Sequence, residues 1–540
     1  MTDSGTEMLG GTDRAGSVGQ RRLLERPFVT WPLGVVSVAV LVAAPWLRQE
    51  LVPAAWLGVA GGLVFVTGRR GWRIELAVLI AAAIAITMAF HWTPEVLSEA
   101  MRASELVGFA FALPIILWDA CRLALPFWIA GRLVRDPRNA WLPAGLTAVV
   151  AEAVIPGVFP WKLGYCQLAW PVTAQAAALL GPEGPTFTLF AIAGAVVAAA
   201  GWIAGWQGWR QLSLGGAAAV AIAVATFAFG MMAIAHTEAR MAAAPKLRLA
   251  LVQADPDGAD AIEEFRSLTR QACDGEPAID LVCWPECSGG SYEEGLDSFT
   301  DEAAIFRRSR PPQRGLRPLP EPDCPLLFGG RIYRGFRERP SEIYQSALLL
   351  DRQEQLAGCY HKRHLMPFGE YVPFADVIPE LRLSFPMETD YDAGSESVPI
   401  DCGPARIGAL LCYEDMVPQA AASLVADGAN LLVSLIHGAA FTNPLTLQQH
   451  RLLAQQRAIE LRRCLARCSS TGETCLIDAT GRISRRLPLG DTSLLTCDVP
   501  LLEGQTPTTR WRWAWPVACG VGLAAFAYLG RLKRLGELAA

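Results

Sequence analysis

Long uncharged apolar runs are the feature that most constrains the fold of this chain. Eight runs approach the roughly 20 residues that a helix needs to cross a bilayer's hydrocarbon core. Only 18% of the residues are charged, and the mean hydropathy of +0.27 is high for a soluble protein. The runs therefore predict a polytopic α-helical membrane domain of about eight transmembrane helices, with approximate spans 28–47, 51–68, 74–91, 107–131, 141–158, 186–206, 213–235 and 513–530.

The basic residues between these runs predict an orientation. If all eight runs cross the membrane, they fall on one side, which the positive-inside rule makes cytoplasmic. A cleaved signal peptide at the first run is the alternative, but its removal would break the alternation of charge. The chain is therefore expected to be a multi-pass protein of the bacterial inner membrane. The basic residues are Arg14, Arg21, Arg22, Arg26, Arg69, Arg70, Arg73, Arg132, Arg135, Arg138, Arg210, Arg531, Lys533 and Arg534.

Most charged residues lie in one segment, 246–505, where short apolar runs alternate with helical stretches. Runs such as ANLLVSLI are apolar throughout, which is typical of strands covered on both faces of an α/β sheet. The net charge of -5, with no clustered basic face, gives no indication of nucleic-acid binding. The predicted organisation is a cytoplasmic tail, a seven-helix membrane domain, a periplasmic α/β domain and a last helix with a cytoplasmic tail, over 1–27, 28–240, 246–505 and 506–540.

The fourth apolar run contains two opposite charges, Asp119 and Arg122. Residues three apart share a helix face, so these side chains are expected to pair inside a helix bundle. A contact with a lipid headgroup or a substrate is the alternative, because charge within a membrane is costly and often functional.

Three residues in the α/β segment combine into a plausible chemistry. A thiol such as Cys412 needs a base to remove its proton, and a carboxylate such as Glu286 is suited to that role. An ammonium such as that of Lys362 stabilises an oxyanion. Each residue alone has an ordinary interpretation, as core thiol, solvated carboxylate or surface charge. Spacings of 76 and 50 residues mean that only tertiary folding unites them.

The sequence motifs around these residues resemble those of a known family. CWPE, YHKRHLMPFGEYVPF and LLCYED are similar to motifs of the nitrilase, or carbon–nitrogen hydrolase, superfamily. Within it, PFGEYVP and the loop VFPWKLGYCQLAWP resemble the membrane-embedded apolipoprotein N-acyltransferase family. The resemblance implies an αββα sandwich for the α/β domain and a Glu-Lys-Cys triad. It assigns the triad to Glu286, Lys362 and Cys412 and supporting or substrate-binding roles to Glu370, Tyr413 and Glu414.

The same resemblance implies a reaction. A phospholipid would donate its acyl chain to the cysteine as a thioester. The α-amino group of diacylglyceryl-cysteine in an apolipoprotein would then accept that chain, with no metal or other cofactor required. Two alternatives remain open: a membrane-tethered hydrolase that uses the same triad with water, and a catalytically silent lipid-binding relative.

Two features depart from the family's pattern or complicate it. In LLVSLIHGAAF, the family's Asn-Asp pair and Trp are absent from positions 436–441, and His437 stands in that region. The change leaves the triad intact and concerns recognition of the acceptor and choice of acyl donor. Eleven cysteines lie in 246–505. An odd count allows a free Cys412 beside up to five disulfides in an oxidising periplasm, or mostly small buried thiols.

Overall fold

The computed structural model describes residues 27–204, 213–255, 261–289, 291–294, 324–336, 339–353, 355–385, 390–438 and 443–539. The N-terminal tail, the loop with Arg210 and part of the altered 436–441 segment lie outside these ranges. The helices preceding the sheet domain are α1 Pro27–Leu47, α2 Val52–Val66, α3 Trp72–Ala89, α4 Thr93–Ala100, α5 Glu105–Leu133, α6 Trp141–Val154, α7 Pro171–Ala174, α8 Ala177–Leu180, α9 Gly184–Ile203 and α10 Leu214–Ala243.

Helices at all eight apolar runs confirm the helical character of the membrane part. Among the described residues, six are long and apolar enough to cross a membrane: Gln49–Val66, Trp72–Ala89, Glu105–Leu133, Gly184–Ile203, Leu214–Ala243 and Ala514–Leu532. The run predicted at 141–158 yields only the 14-residue α6. Proline at position 156 disfavours helical geometry in the residue before it, so the helix ends early. The count of eight spans stays a prediction.

The sheet domain consists of two packed β-sheets. The first has strand order β13-β1-β2-β4-β5-β6, with β3 beside β4, and the second has order β12-β11-β10-β9-β8-β7. The strands are β1 Lys246–Gln253, β2 Leu281–Cys283, β3 Ser291–Glu294, β4 Leu326–Phe336, β5 Arg339–Leu350, β6 Leu356–His361, β7 Ile400–Cys402, β8 Ala405–Leu411, β9 Leu431–Ile436, β10 Leu465–Ser469, β11 Cys475–Ile477, β12 Ile483–Arg486 and β13 Ser493–Pro500.

Helices cover the outer faces of both sheets, which confirms the α/β nitrilase-like fold expected from the resemblance. Helix α11 (Ala261–Cys273) packs on β1 and β13, while α13 (Pro418–Ala426) packs on β8 and α14 (Pro444–Leu461) on β10. Strands β1, β2 and β4 run parallel, as do β8, β9 and β10. Because parallel central strands are buried on both faces, every residue of β9 is buried. The remaining helices are α12 Leu381–Ser384, α15 Pro507–Arg510 and α16 Ala514–Ala539.

The structure adds elements that the sequence did not reveal. The strand YQSALLLD was expected to lead directly to HKRH, but β6 intervenes and pairs antiparallel with β5. Its sequence, LAGCYH, mixes glycine and histidine with apolar residues and is only half-buried, so it lacks a clear strand pattern. Helix α10 was expected to end near 235 and continues to Ala243.

The last turns of α10 contact the sheet domain. These contacts account for the continuation of the helix beyond its predicted end. Arg240 Nη2 donates to the Glu503 carbonyl at 2.6 Å, and Glu238 forms an ion pair with Arg482. Strand β1 begins at Lys246, only three residues after the helix ends. The helix and the first strand are therefore joined with almost no linker.

One glutamine connects the sheet domain to two membrane helices. Gln449 Nε2 donates to the carbonyls of Trp46 and Ala89 at 3.1 and 2.8 Å, and its Oε1 accepts from Trp92 Nε1 at 2.9 Å. Trp46 and Ala89 lie in the last turns of α1 and α3, where carbonyls have no partner within the helix. A side chain of α14 thus caps both helices.

All 14 cysteines lie within the described ranges, and each is a free thiol. Of the two interpretations open from the sequence, the structure favours small, mostly buried thiols over a network of disulfides. Cys283, Cys464, Cys468 and Cys475 are fully buried in the core.

Candidate functional site

Glu286 lies just beyond the carboxyl end of β2, in a buried turn. Only 4% of the residue is exposed. The neighbouring strand passes so close that a Cβ on Gly329 would lie 2.6 Å from the Glu286 Cα, so glycine is required there. Packing of β4 against this turn therefore fixes the Glu286 backbone from which the carboxylate side chain extends.

Lys362 follows β6 directly and is almost completely buried, with 1% of the residue exposed. Its Nζ donates to Glu370 Oε1 at 2.6 Å and to Glu286 Oε1 at 3.3 Å. Burial alone would lower the pKa of the lysine, but the carboxylates of Glu286 and Glu370 raise it well above its ordinary value. The site therefore holds an ammonium rather than a neutral amine.

Glu370 closes the short loop that begins at Lys362. Its second oxygen, Oε2, accepts from the Met366 backbone N–H at 2.7 Å, so the side chain links both ends of the loop. Burial raises the pKa of this carboxyl, Lys362 opposes that shift, and the negative Glu286 reinforces it. The expected proximity of Glu370 to Lys362 is present in the structure.

Cys412 occupies the carboxyl end of β8 and opens a 3₁₀ turn, Cys412–Asp415. Its φ of +44° is unusual for a residue with a side chain, and such strain persists only where the surroundings enforce it. Burial raises the pKa of the thiol well above its ordinary value; Glu286 raises it further, and Lys362 opposes the shift. A thiol in this setting needs a base to become a nucleophile.

Glu414 connects β8, which leads to Cys412, with the loop that begins at Lys362. Its Oε2 accepts from the Leu411 N–H at 3.0 Å, and its Oε1 accepts from the backbone N–H groups of Arg363 and His364 at 2.8 and 3.1 Å. The Tyr360 hydroxyl donates to the same Oε1 at 2.8 Å. Glu414 is fully buried, and these four hydrogen bonds hold the two segments together.

Tyr413 points the other way, towards the membrane part. Its hydroxyl donates to the Val158 carbonyl at 2.9 Å, within the loop that carries the VFPWKLGYCQLAWP motif. Tyr413 thus connects the 3₁₀ turn that begins at Cys412 to the membrane domain.

Sequence reasoning missed a buried ionic cluster behind the turn. Asp415 accepts from His450 Nε2 at 2.7 Å, Ser434 Oγ at 2.9 Å and Arg467 Nε at 3.2 Å. Burial favours the neutral acid, but the charges of His450 and Arg467 hold the pKa of Asp415 below its ordinary value. Asp415 is the last residue of the motif LLCYED, so the sequence could have indicated it. His450 and Arg467 come from α14 and β10, and no local motif singled them out.

The geometry supports acyl chemistry at the thiol. The Glu286 carboxylate can accept a proton, and Lys362 carries three N–H donors, two of which are engaged by carboxylates. The third is available for an oxygen that becomes negative during attack. Glu286 and Lys362 come from the first sheet and Cys412 from the second, so the packing of the two sheets assembles the site.

The intramembrane pair expected at Asp119 and Arg122 is present. Arg122 Nη2 lies 3.3 Å from Asp119 Oδ1, and both side chains are buried. The Trp161 indole donates to Asp119 Oδ2 at 3.1 Å, while its ring lies 4.2 Å from the Arg122 guanidinium carbon. The pair therefore connects α5 to the motif loop after α6.

Two family models match the chain. Residues 248–506 match carbon–nitrogen hydrolase, and residues 38–195 match the apolipoprotein N-acyltransferase N-terminal domain. The apolipoprotein N-acyltransferase of Azotobacter vinelandii is 29% identical, covering 96% of this chain and 94% of its own length. That of Geobacter metallireducens is 27% identical, covering 92% and 94%. The resemblance inferred from the motifs is confirmed.

Two solved structures each match about half of this chain. Saccharomyces cerevisiae Nit3, a member of branch 10 of the nitrilase superfamily, is 17% identical with a TM-score of 0.35, covering 50% of this chain and 94% of its own. A carbon–nitrogen hydrolase from Helicobacter pylori G27 is 15% identical with a TM-score of 0.34, covering 50% and 94%.

Proposed function

We propose, for a chain that belongs to the apolipoprotein N-acyltransferase family, that it transfers an acyl chain from a phospholipid to the free amino group of diacylglyceryl-cysteine. The observation that carries the proposal is the buried Lys362 ammonium held between Glu286 and Glu370. It lies within electrostatic reach of the strained Cys412 thiol. A base, a cation and a nucleophile are the groups that two-step acyl transfer needs.

The first step loads the enzyme. Glu286 takes the Cys412 proton, and the thiolate attacks an ester carbonyl of the phospholipid. Lys362 stabilises the oxyanion. When the tetrahedral intermediate collapses, the carbon–oxygen bond breaks and Glu286 returns the proton to the departing lysophospholipid. The acyl chain remains on Cys412 as a thioester.

The second step transfers the chain to the acceptor. The free α-amino group of the diacylglyceryl-cysteine attacks the thioester, and Glu286 accepts a proton from the nitrogen. The carbon–sulfur bond then breaks and the proton returns to Cys412. The products are an N-acylated lipoprotein and a regenerated thiol. Splitting the transfer through a covalent intermediate replaces one difficult step with two easier ones.

We place this chemistry at the outer surface of the bacterial inner membrane. In the predicted alternation of spans, the basic loops fall on the side opposite the sheet domain, and the positive-inside rule then supports a periplasmic location for the thiol. Both substrates are anchored in the bilayer. A catalytic domain attached to membrane helices at both of its ends keeps the thiol near them.

The proposal is tested by trapping the intermediate. The purified chain is incubated with phospholipid, and peptide mass spectrometry is expected to find an added acyl mass on Cys412. A diacylglyceryl-cysteine lipopeptide added next should remove that mass and gain it on its amino group. Cys412→Ala should abolish both signals. Cys464→Ala, which changes a buried thiol elsewhere in the domain, should keep them.

Two results would count against the proposal. The absence of any acyl mass on Cys412 removes the covalent intermediate and with it the mechanism. Release of free fatty acid in place of an N-acylated lipopeptide would identify water as the acceptor, and the chain would then be a hydrolase built on the same three residues.

A further inference from the structure

A cavity of about 250 Å³ lies beside the catalytic turn, between the sheet domain and the membrane helices. Tyr413 and Val417 form its wall on the side of the turn, and Trp161 and Trp513 belong to its membrane side. Glu286, Lys362 and Cys412 do not belong to its described lining. The mechanism above therefore leaves this cavity without a role.

Three cations line the cavity: Arg122, Lys162 and Arg512. Lys162 is already neutralised, because its Nζ lies 2.7 Å from Glu183 Oε1 and also donates to the Glu152 carbonyl at 2.9 Å. The carboxylate of Glu152 is likewise engaged, accepting from the Leu163 backbone and the Thr186 hydroxyl, both at 2.7 Å. The acidic groups of the lining are therefore committed to partners of their own.

Arg122 retains unused donor capacity. Only 5% of the residue is exposed, and its Nε has no hydrogen-bond partner among the described residues. Its Nη2 is shared between Asp119 and the Trp161 carbonyl, at 3.3 and 3.2 Å. An unpartnered guanidinium nitrogen in a buried position costs free energy, which a bound anion would recover.

Arg512 belongs to the same lining. It is half-buried, and the Gln419 oxygen, in the amide orientation that satisfies both groups, accepts from its Nη2 and Nη1 at 2.7 and 3.2 Å. Its guanidinium carbon lies 5.1 Å from the Trp513 ring. These contacts orient the side chain and leave its Nε side free of that glutamine.

The surface around the cavity is suited to lipid. Val154, Trp513 and Val517 are exposed by 67%, 51% and 60%, and Trp118 by 53%. Tryptophan favours the membrane–water interface, where one end of its ring system meets water. A cationic recess within an exposed apolar rim matches the two halves of a phospholipid, with the phosphate inside and the chains outside.

We infer that this cavity binds the phosphodiester of the phospholipid donor, with Arg122 and Arg512 as its ligands. Guanidinium groups pair with phosphate oxygens through planar, charge-assisted hydrogen bonds. Tyr413 is bonded to Cys412, so a phosphate held against this wall directs the neighbouring glycerol esters towards the thiol. The inference rests on the proposed function and adds a headgroup site to the same catalytic turn.

Binding to the full-length Cys412→Ala protein tests the inference without requiring catalysis. Native mass spectrometry would compare dihexanoyl phosphatidylethanolamine with dihexanoylglycerol, which has the same chains without phosphate. Arg512→Gln and the paired change Asp119→Asn with Arg122→Gln should each weaken phospholipid binding roughly tenfold to a hundredfold, the range expected for lost charge-assisted hydrogen bonds. Binding of dihexanoylglycerol should stay unchanged.

The paired change removes both buried charges together, so neither is left alone. If that variant does not fold, Arg512→Gln decides the outcome. Matched controls are Arg132→Gln, on the same helix as Arg122 and 59% exposed, and Arg510→Gln, exposed two residues before Arg512. Both controls should bind phospholipid as the parent protein does.

Three outcomes overturn the inference: unchanged phospholipid binding in the arginine variants, equal losses in the controls, or inorganic phosphate binding as tightly as the phospholipid. The last outcome would indicate a site for free phosphate. Failure of the proposed function is distinguishable, because it appears as phospholipid binding of the expected pattern with no thioester on Cys412 in the parent enzyme.

Discussion

At the scale of single residues, two carboxylates outside the proposed triad hold its surroundings in place. Glu414 holds the Leu411 and Arg363 backbones in fixed relation. Glu370 holds the Lys362 ammonium. Both were assigned supporting roles by resemblance alone, and the structure gives each a set of hydrogen bonds that accounts for such a role.

Glu414→Gln should slow thioester formation about a hundredfold, the cost typical of a displacement near 1 Å between reacting groups. Both Glu414 oxygens now accept from donors, and a glutamine would place an NH₂ group against some of them. The loop after Lys362 and the turn at Cys412 should therefore separate. The acyl mass on Cys412 at fixed times measures the rate. Tyr360→Phe removes one of the four donors to Glu414 and is the control; it should cost about 1 kcal/mol of unfolding free energy and little activity. Equal rates for Glu414→Gln and the parent would contradict this role.

Glu370→Gln should shift the alkaline limit of activity to lower pH. Glu370 raises the pKa of Lys362, so removing its charge lowers that pKa, and the ammonium is lost earlier as pH rises. The amide still accepts from Met366, so the loop should persist. The measurement is kcat/KM for thioester formation across pH. Glu380→Gln, exposed after the same loop, should leave the profile unchanged; an unmoved alkaline limit in Glu370→Gln would remove the charge-based account.

At the scale of elements, the three residues of the proposed triad each lie just after the end of a strand. Glu286 follows β2, Lys362 follows β6 and Cys412 follows β8. Strand β4 passes close to Glu286 at Gly329. A glycine, which has no reactive side chain, thereby determines the position of the Glu286 backbone.

Gly329→Ala should reduce activity more than stability. The added methyl group would lie 2.6 Å from the Glu286 Cα, so the turn must move and carry the carboxylate away from the thiol. We expect roughly a tenfold to hundredfold loss of kcat with a modest loss of unfolding free energy. Gly275→Ala is the control, because its methyl group meets neighbours only at 3.4 Å. A loss of stability with full specific activity would show that the turn tolerates the shift.

How far the sequence predicted these elements depends on how local their signals are. The fully apolar strand β9 and the long membrane helices were evident from hydrophobic pattern alone. Strand β6 was missed because pairing with β5, rather than its own composition, holds it in place. The residues of the proposed triad were predicted from sequence motifs. Their proximity results from the packing of the two sheets and could not be read from those motifs. The His450–Asp415 contact joins residues 35 apart and left no local trace.

At the scale of the whole molecule, the sheet domain is fixed to the membrane helices rather than loosely attached. Gln449 caps two helices, Tyr413 bonds the motif loop, and Arg457 Nη2 donates to the Tyr165 hydroxyl at 2.8 Å. Polar contacts therefore join the two parts at several separate points.

Gln449→Leu should weaken this attachment. The change leaves the Trp92 indole and the carbonyls of Trp46 and Ala89 without their partner, at a cost of about 1–3 kcal/mol for buried polar groups. Thermal unfolding in detergent should show a lower transition temperature. Gln448→Leu, at the neighbouring half-buried position, is the control and should unfold as the parent does. Identical transitions for all three proteins would show that the capping contacts do not contribute to stability.

The short connection from α10 to β1 has a consequence for substrate choice under the proposed function. Thirty helical residues extend about 45 Å, while the hydrocarbon core is about 30 Å thick, so an upright α10 that begins at one edge of the core would extend roughly 15 Å beyond the other. This part of α10 would set the height of the Cys412 thiol above the lipid chains. It would also restrict movement of the thiol along the membrane normal. Under the proposed function, bilayer thickness would then contribute to selectivity, because it would determine which ester carbonyls lie at the level of the Cys412 sulfur.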